Sequence, residues 1–490
     1  MNAPAPTTPS RVPPGPRAIL PGRILYRMSR DIVGFLTAVQ QNYGDVSHFR
    51  IGRRRLFLLT HPEHIRQVLV SRDENFTKGP ALRMAKVTLG EGLLTSEGDF
   101  HRRQRRMMQP AFHAQRVAEY ADTFVRFASR TRDRWTDGQV LDVRAAMTQL
   151  TLEIVAKTLF DADLESEVRE IGEAMDTTVT MFDRSRSPLA RLLNLLPLPS
   201  NYRFLRARDR VFTTIDRMID NRRGQRPNKN DFLSILLRAR DTEGDQQGMT
   251  DEQVRFEAMT LFSAGHETTA NAMVWTWLLL SQNATAETEL HKELDRVLGG
   301  RLPTHADVPQ LAYTRAVIAE SMRLYPPAWI VARQAKAAHA IADTGFVIPT
   351  GGVILMPQWI VHRDPRWWPE PDAFRPERWV EERKDEEMRR WGDEGNNRPQ
   401  PSSPHPLTSS SPHLHSNRPR YAYFPFGGGS RQCIGEPFAW LEAILLLATL
   451  AQRWRLRRAS DDPVRLHPTI TLRPRDPLPM RLESRCPDCR

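Results

Sequence analysis

The sequence predicts a mainly α fold with small β-sheets, an α+β chain. Three observations carry the prediction. From Ala118 to Ala270 the chain reads as successive amphipathic helices, parted by polar or proline-bearing turns such as Leu195-Leu196-Pro197-Leu198-Pro199 and Gly224 to Asn230. A longer helical pattern runs from about Asp251 to Ser281, and an apolar one from about Pro437 to Leu450. Strand signals are few and short, at Val46 to Ile51 and Arg54 to Thr60 on either side of Gly52. Ile32 to Val39 adds an early stretch of helical apolar spacing.

Composition bounds the class. The 490 residues are 26% charged and 40% hydrophobic, enough for a large core. The net charge of +12 suits nucleic acid, an acidic membrane surface or an acidic protein. No zinc-finger spacing or RNA-binding motif occurs, so nucleic acid is not expected. Three cysteines give no disulfide framework across the body, which fits a reducing compartment. Met1 to Pro16 has no apolar signal region, and no span of about 20 apolar residues follows, so no transmembrane anchor is expected. The reading is a cytoplasmic protein, with peripheral membrane contact as an option for a lipophilic substrate.

Composition shifts mark the boundaries. Residues 1–19 read as a disordered, proline-rich N-terminus, 20–482 as one domain and 483–490 as a tail. Within the domain, 381–420 is a low-complexity insertion that turns from a charge run into a Ser/Pro/His stretch. It reads as a solvated loop or a docking loop. The tail holds Cys486-Pro487-Asp488-Cys489, half of a zinc site at most. Oxidisable, exposed thiols are the simpler reading there.

Cys433 carries the chemistry. It lies in Phe426-Gly427-Gly428-Gly429-Ser430-Arg431-Gln432-Cys433-Ile434-Gly435, just before the second apolar helix. A thiolate is a strong soft ligand for iron. Glycines let backbone N–H groups approach the sulfur, and a following helix N-terminus favours its negative charge. The bland alternative is an inert buried cysteine. Inside the long helix, Ala264-Gly265-His266-Glu267-Thr268-Thr269 places an acid beside an alcohol. Gly265 weakens the helix there, and the Thr268 hydroxyl can reach the Ala264 carbonyl one turn back. A glycine packing contact explains the same residues more simply. Glu320 and Arg323 share a helix face at i,i+3, and the helix stops at Tyr325-Pro326-Pro327. His101 and Arg105 are i,i+4 neighbours on a basic helix.

Together these segments resemble the cytochrome P-450 superfamily from about Leu20 to Leu482. The Cys433 segment matches Phe-x-x-Gly-x-Arg-x-Cys-x-Gly at every fixed position. The Glu267-Thr268 segment matches Ala/Gly-Gly-x-Asp/Glu-Thr, and Glu320 with Arg323 matches Glu-x-x-Arg. Phe374-Arg375-Pro376-Glu377-Arg378-Trp379 resembles the Pro-Glu-Arg-Phe segment, with Trp379 in the last place. His101 and Arg105 match the Trp/His-x-x-x-Arg pair. The family usually has a shorter connection where 381–420 stands.

The resemblance implies the cytochrome P-450 fold, a triangular prism with haem between the oxygen-binding helix and the Cys-ligand helix. It implies heme b on Cys433, with Phe426 beside it and Arg431, His101, Arg105 and Arg333 toward the propionates. Glu267 and Thr268 would handle protons and bound oxygen, and Glu320, Arg323 and Arg378 would form a structural triad. Ala264, Ala328, Ile330, Val331 and Ile470 would line a pocket for a small hydrophobic substrate, with the stretches 79–94, 181–198, 259–263 and 469–472 around it. The implied activity is a monooxygenase that inserts one oxygen atom of O2 into a C–H or C=C bond of a fatty acid, terpenoid, carotenoid or polyketide. Electrons would come from NAD(P)H through a ferredoxin or flavodoxin and its reductase, steered by Arg102, Arg103 and Arg106. Arg184, Arg186 and Arg191 read as surface charge. The rivals are a peroxide-driven peroxygenase, an isomerase, a non-enzymatic haem sensor and a zinc-binding protein.

Overall fold

The structure is a computed structural model. It describes residues 12–17, 22–161, 198–224, 231–244, 246–380 and 418–485. The helices are α1 (Arg23–Arg30), α2 (Ile32–Tyr43), α3 (Pro62–Arg66), α4 (Pro80–Leu89), α5 (Gly98–Met108), α6 (Ala114–Ala118), α7 (Ala121–Arg134), α8 (Val143–Phe160), α9 (Pro199–Gly224), α10 (Phe232–Arg238), α11 (Asp251–Gln282), α12 (Ala284–Leu298), α13 (Ala312–Leu324), α14 (Gln358–Val361) and α15 (Glu436–Ala451). The strands are β1 (Val46–Ile51), β2 (Arg54–Leu59), β3 (Phe76–Lys78), β4 (Val140–Asp142), β5 (Val331–Ala335), β6 (His339–Ile341), β7 (Phe346–Ile348), β8 (Val353–Met356), β9 (Trp454–Arg458), β10 (Leu466–Pro468), β11 (Leu472–Pro474) and β12 (Pro479–Ser484). They fall into two compact units.

The first unit takes the chain up to Met84, Ala328–Pro371 and Asn417–Cys433. Its sheet has the order β1-β2-β8-β5-β3, antiparallel except for β2 with β8. The central strand β8 is Val353-Ile354-Leu355-Met356, buried at every position, as a strand covered on both faces must be. Phe57, Leu59, Ile65, Leu69, Phe76, Ile354 and Met356 form one core with Tyr421 and Phe424. That core seats the segment leading to Cys433. Residues 12–17 depart from the disorder expected of the N-terminus: His48 N–H donates to Pro14 O at 2.8 Å, so this stretch runs against β1.

The second unit takes Ala85–Pro327, Asp372–Ser416 and Ile434–Arg490. Its axis is α11. Thr250 and Gln253 close a reciprocal cap at its start, satisfying otherwise orphaned N–H groups. From Thr269 to Leu280 every α11 residue is buried, so the amphipathic first half gives way to a core helix. α15 is equally enclosed: Leu445, Leu446 and Leu447 are wholly buried, each stabilising the unit by roughly 1.5–3 kcal/mol. The sheet β4-β12-β9 and the hairpin β10-β11 complete the unit. Local spacing placed α11 and α15 to within one or two residues of their observed ends.

Candidate functional site

The Cys433 loop is built within the first unit. Phe424 N–H donates to His362 Nε2 at 3.0 Å, and Gly427 N–H to Phe424 O at 2.9 Å. Cys433 N–H then donates to Phe426 O at 2.9 Å, folding the loop back on itself. Gly429 has φ 70°, and a Cβ there would sit 1.7 Å from Leu69 O, so only glycine fits. A Cβ on Gly428 would meet the Tyr421 hydroxyl at 2.6 Å. The loop is tied down by Ser430 to Asp73, and by Arg431, whose Nη2 donates to Phe76 O at 3.1 Å. Cys433 ends the loop with its side chain exposed. Arg431 anchors the loop to β3, a role the sequence did not suggest.

β3 leads directly to a second cation. It pairs with β5, and the register sets Lys78 opposite Arg333. Both are about nineteen-twentieths buried, at 4% and 5% exposure. Directly opposed like charges repel, and burial magnifies the repulsion unless negative charge lies beside them. Arg333 had been singled out in the sequence; Lys78 had not. Phe426 is half-buried in the loop, and Ala328, Ile330 and Val331 are half-buried ahead of or within β5.

In the second unit the acid–alcohol segment lies on α11. The Thr268 hydroxyl donates to Ala264 O at 2.7 Å, the bond its spacing predicted. The helix nonetheless runs unbroken through Gly265. The glycine serves packing, because a Cβ would lie 3.2 Å from Val155 Cγ2 on α8. Ala264, Gly265, Glu267 and Thr268 are half-buried, unlike the residues that follow. His266 is buried, its Nδ1 bonded to Phe262 O at 2.7 Å.

Glu267 is held by residues that local patterns do not reveal. Thr471 Oγ1 donates to Glu267 Oε1 at 2.7 Å, and Asn271 Nδ2 donates to Thr471 Oγ1 at 3.2 Å. Arg473 approaches the same carboxylate oxygen at 3.8 Å. The turn bearing Thr471 is fixed by two further bonds: Trp275 Nε1 to Leu472 O at 3.0 Å, and Leu472 N–H to Pro327 O at 2.9 Å. Ile470 is half-buried in that turn. Upstream, Glu257 accepts Leu93 N–H at 2.8 Å and pins the loop after α4 to α11. Met259, expected in the pocket wall, is instead buried at 1% exposure. Its helical phase points it to the core side of α11.

The triad is a buried network. Arg323 grips Glu320 with Nε to Oε2 and Nη2 to Oε1, both 2.8 Å, and Arg378 Nε reaches Oε1 at 3.0 Å. Arg375 N–H and Trp379 Nε1 each add a bond at 2.9 Å. The unusual tryptophan thus supplies a donor. Burial pushes the Glu320 carboxyl up, but the Arg323 bonds and charge, the Arg378 charge and the Arg375 N–H together hold it below its ordinary value.

On α5, His101 is buried and Arg105 half-buried. The expectation that Arg103 and Arg106 face a partner needs correction. Arg106 Nη2 reaches Asp241 Oδ2 at 2.8 Å, and Arg103 Nη2 donates to Gln247 O and Gly248 O, both at 3.1 Å. Asp241 is buried and needs these cations, so they are structural. Arg102 is exposed but pairs with Asp99. Arg184, Arg186, Arg191, the insertion up to residue 417 and Cys486 with Cys489 lie outside the described residues.

The sequence profile of the family Cytochrome P450 matches residues 13–480. Cyclooctatin synthase of Streptomyces melanosporofaciens is 38% identical over 91% of this chain and 90% of its own length. Cyclooctat-9-en-7-ol 5-monooxygenase of the same organism is 35% identical, covering 85% and 83%. Pentalenene oxygenase of Streptomyces avermitilis is 32% identical, covering 94% and 95%. The crystal structure of the cytochrome P450DA heme domain superposes with a TM-score of 0.80 at 25% identity, covering 97% of this chain and 98% of that one. With a profile match across nearly the whole chain, a shared fold and monooxygenase relatives, the chain belongs to the cytochrome P450 family and is a P450 monooxygenase.

Proposed function

We propose that this monooxygenase hydroxylates or epoxidises a terpenoid, and that Cys433 would hold its haem through the thiolate. The observation that carries the substrate class is the relatives' own activity. By their names, one relative oxidises cyclooctat-9-en-7-ol, an alcohol with a C=C bond, and another pentalenene, an olefin, and both match most of this chain. Each unit offers half-buried apolar side chains of the kind such a substrate needs, Ala328, Ile330 and Val331 in the first and Ala264 and Ile470 in the second.

The residues fit haem. An exposed thiol on a glycine loop supplies the soft ligand. Lys78 and Arg333, buried side by side, suit a ligand edge with two negative charges, which the two propionates provide. His101, Arg105 and Arg431 would each offer a propionate a further donor, and Phe426 would flank the thiolate. When bound, haem supplies the activation of dioxygen and the transfer of one oxygen atom to the substrate.

The chain's own part is proton management and orientation. Glu267 and Thr268 are adjacent on α11, and Thr268 keeps its oxygen available while its proton is held by Ala264 O. Glu267, partly solvent-exposed, collects protons from water, and Thr471 fixes the carboxylate that passes them on. Glu320, Arg323 and Arg378 keep the core of their unit rigid. Electrons come from NAD(P)H through a separate ferredoxin or flavodoxin and reductase. The protein acts in the cytoplasm.

Two measurements test the reading. The carbon monoxide complex of the reduced protein should show the red-shifted Soret band of thiolate ligation, and Cys433→Ala should abolish it. Terpene olefins and their mono-alcohols should shift the ferric Soret band and yield oxygenated products with a ferredoxin system. Thiolate ligation with response only to fatty acids would reject the substrate class; a histidine-like band would reject the ligand.

A further inference from the structure

Positive charge is concentrated on one part of the first unit. The hairpin of β1 and β2 carries Arg50, Arg53, Arg54 and Arg55 around the Gly52 turn, all four exposed. No carboxylate occurs between Val46 and Leu59. The register sets Arg50 directly opposite Arg55, an arrangement that costs stability in the isolated protein. None of the four forms an ion pair with a described residue. Burial, then the charges of Arg55 and Arg50, hold the His48 imidazole below its ordinary pKa.

α1 continues the patch. Arg23, Tyr26, Arg27 and Arg30 recur at i, i+3, i+4 and i+7, so they share one helix face, and all are exposed. Tyr26 is 64% exposed. Ile24 is buried. The helix contains no carboxylate, and Asp31 just beyond it is turned onto Gly34 N–H at 2.9 Å. α1 packs against α2 and β1, and the segment 12–17, with Val12 and Arg17 exposed, also runs along β1. Helix, hairpin and segment are therefore neighbours.

We propose that this face docks on an anionic lipid bilayer. The guanidinium groups meet headgroup phosphates, with bidentate geometry available to each, and Tyr26 enters the interfacial layer. A protein partner is the weaker match, because the centre of a protein interface is depleted of charge. Here charge makes up most of the patch. Among the described residues no helix is long and apolar enough to cross a membrane. Attachment is therefore peripheral, reversible and salt-sensitive. The proposal does not depend on the substrate class.

The test is co-sedimentation of the haem-loaded full chain with phosphatidylcholine vesicles, with and without phosphatidylglycerol. Binding is expected only with phosphatidylglycerol, and is expected to fall away at about 0.5 M salt. Each arginine near such a surface is worth about fivefold in partitioning, so Arg50→Gln, Arg53→Gln, Arg54→Gln and Arg55→Gln combined should lower it several-hundredfold. Arg23→Gln, Arg27→Gln and Arg30→Gln combined should lower it about a hundredfold. Unfolding midpoints confirm that the variants fold. Failure of the wild type to bind, equal binding to neutral vesicles, or binding that survives both sets of substitutions overturns the proposal. So does a variant that keeps vesicle binding but is reduced more slowly by a ferredoxin, since the patch would then serve a protein.

Discussion

Glu442 gives the sharpest test of the packing. It sits on α15, wholly buried, and burial pushes its carboxyl up to about 8; the Thr269 hydroxyl on α11 offsets little of this. In the native state at neutral pH it therefore keeps a proton that the unfolded chain, with the ordinary value of 4.5, releases. The native state binds more protons in this window, so stability falls as pH rises from about 4.5 to about 8 and levels off above. The slope is about 1.4 kcal/mol per pH unit at most, so from pH 5 to pH 7 Glu442 alone costs about 2–3 kcal/mol. Glu442→Gln keeps the shape and removes the titration. Urea unfolding of the haem-loaded wild type and variant, followed by tryptophan fluorescence, should show the variant gaining about 2–3 kcal/mol on the wild type between pH 5 and pH 7. A stability difference equal at both pH values would refute a protonated Glu442.

Four further outcomes follow from the site. Glu320→Gln leaves Arg323 and Arg378 buried without their counter-charge and should destabilise the fold by about 3–5 kcal/mol, seen as a lowered unfolding midpoint. Gly429→Ala places a methyl on Leu69 O at positive φ and should cost more than about 2 kcal/mol and lower haem occupancy, read from the Soret-to-protein absorbance ratio. Thr471→Val frees the Glu267 carboxylate, so turnover should fall about tenfold or more with substrate binding unchanged. Thr268→Ala should release hydrogen peroxide in place of product at unchanged electron uptake; full coupling in that variant would remove Thr268 from proton delivery.

The site divides by range. Interactions within a turn or a loop were legible in the residues: the bond from Thr268 to Ala264, the Glu320–Arg323 grip and the glycine loop before Cys433 follow from i,i+4, i,i+3 and turn chemistry. Charge roles were less legible. A basic helix looks the same whether its arginines face solvent or a buried acid, and Asp241 decides the matter for Arg103 and Arg106 from far along the chain.

By itself the sequence determined the glycine loop before Cys433, the adjacency of Glu267 and Thr268, the course of α11 and α15, and the family. All of these depend on the spacing of neighbouring residues, which backbone geometry converts directly into contact. Only the tertiary structure decided that Thr471 and Asn271 position Glu267, that Trp379 completes the Glu320 network, that Lys78 stands opposite Arg333, and that Glu442 is enclosed. These depend on strand register and helix packing, which bring distant residues together and set the burial that turns an ordinary carboxyl into a perturbed one.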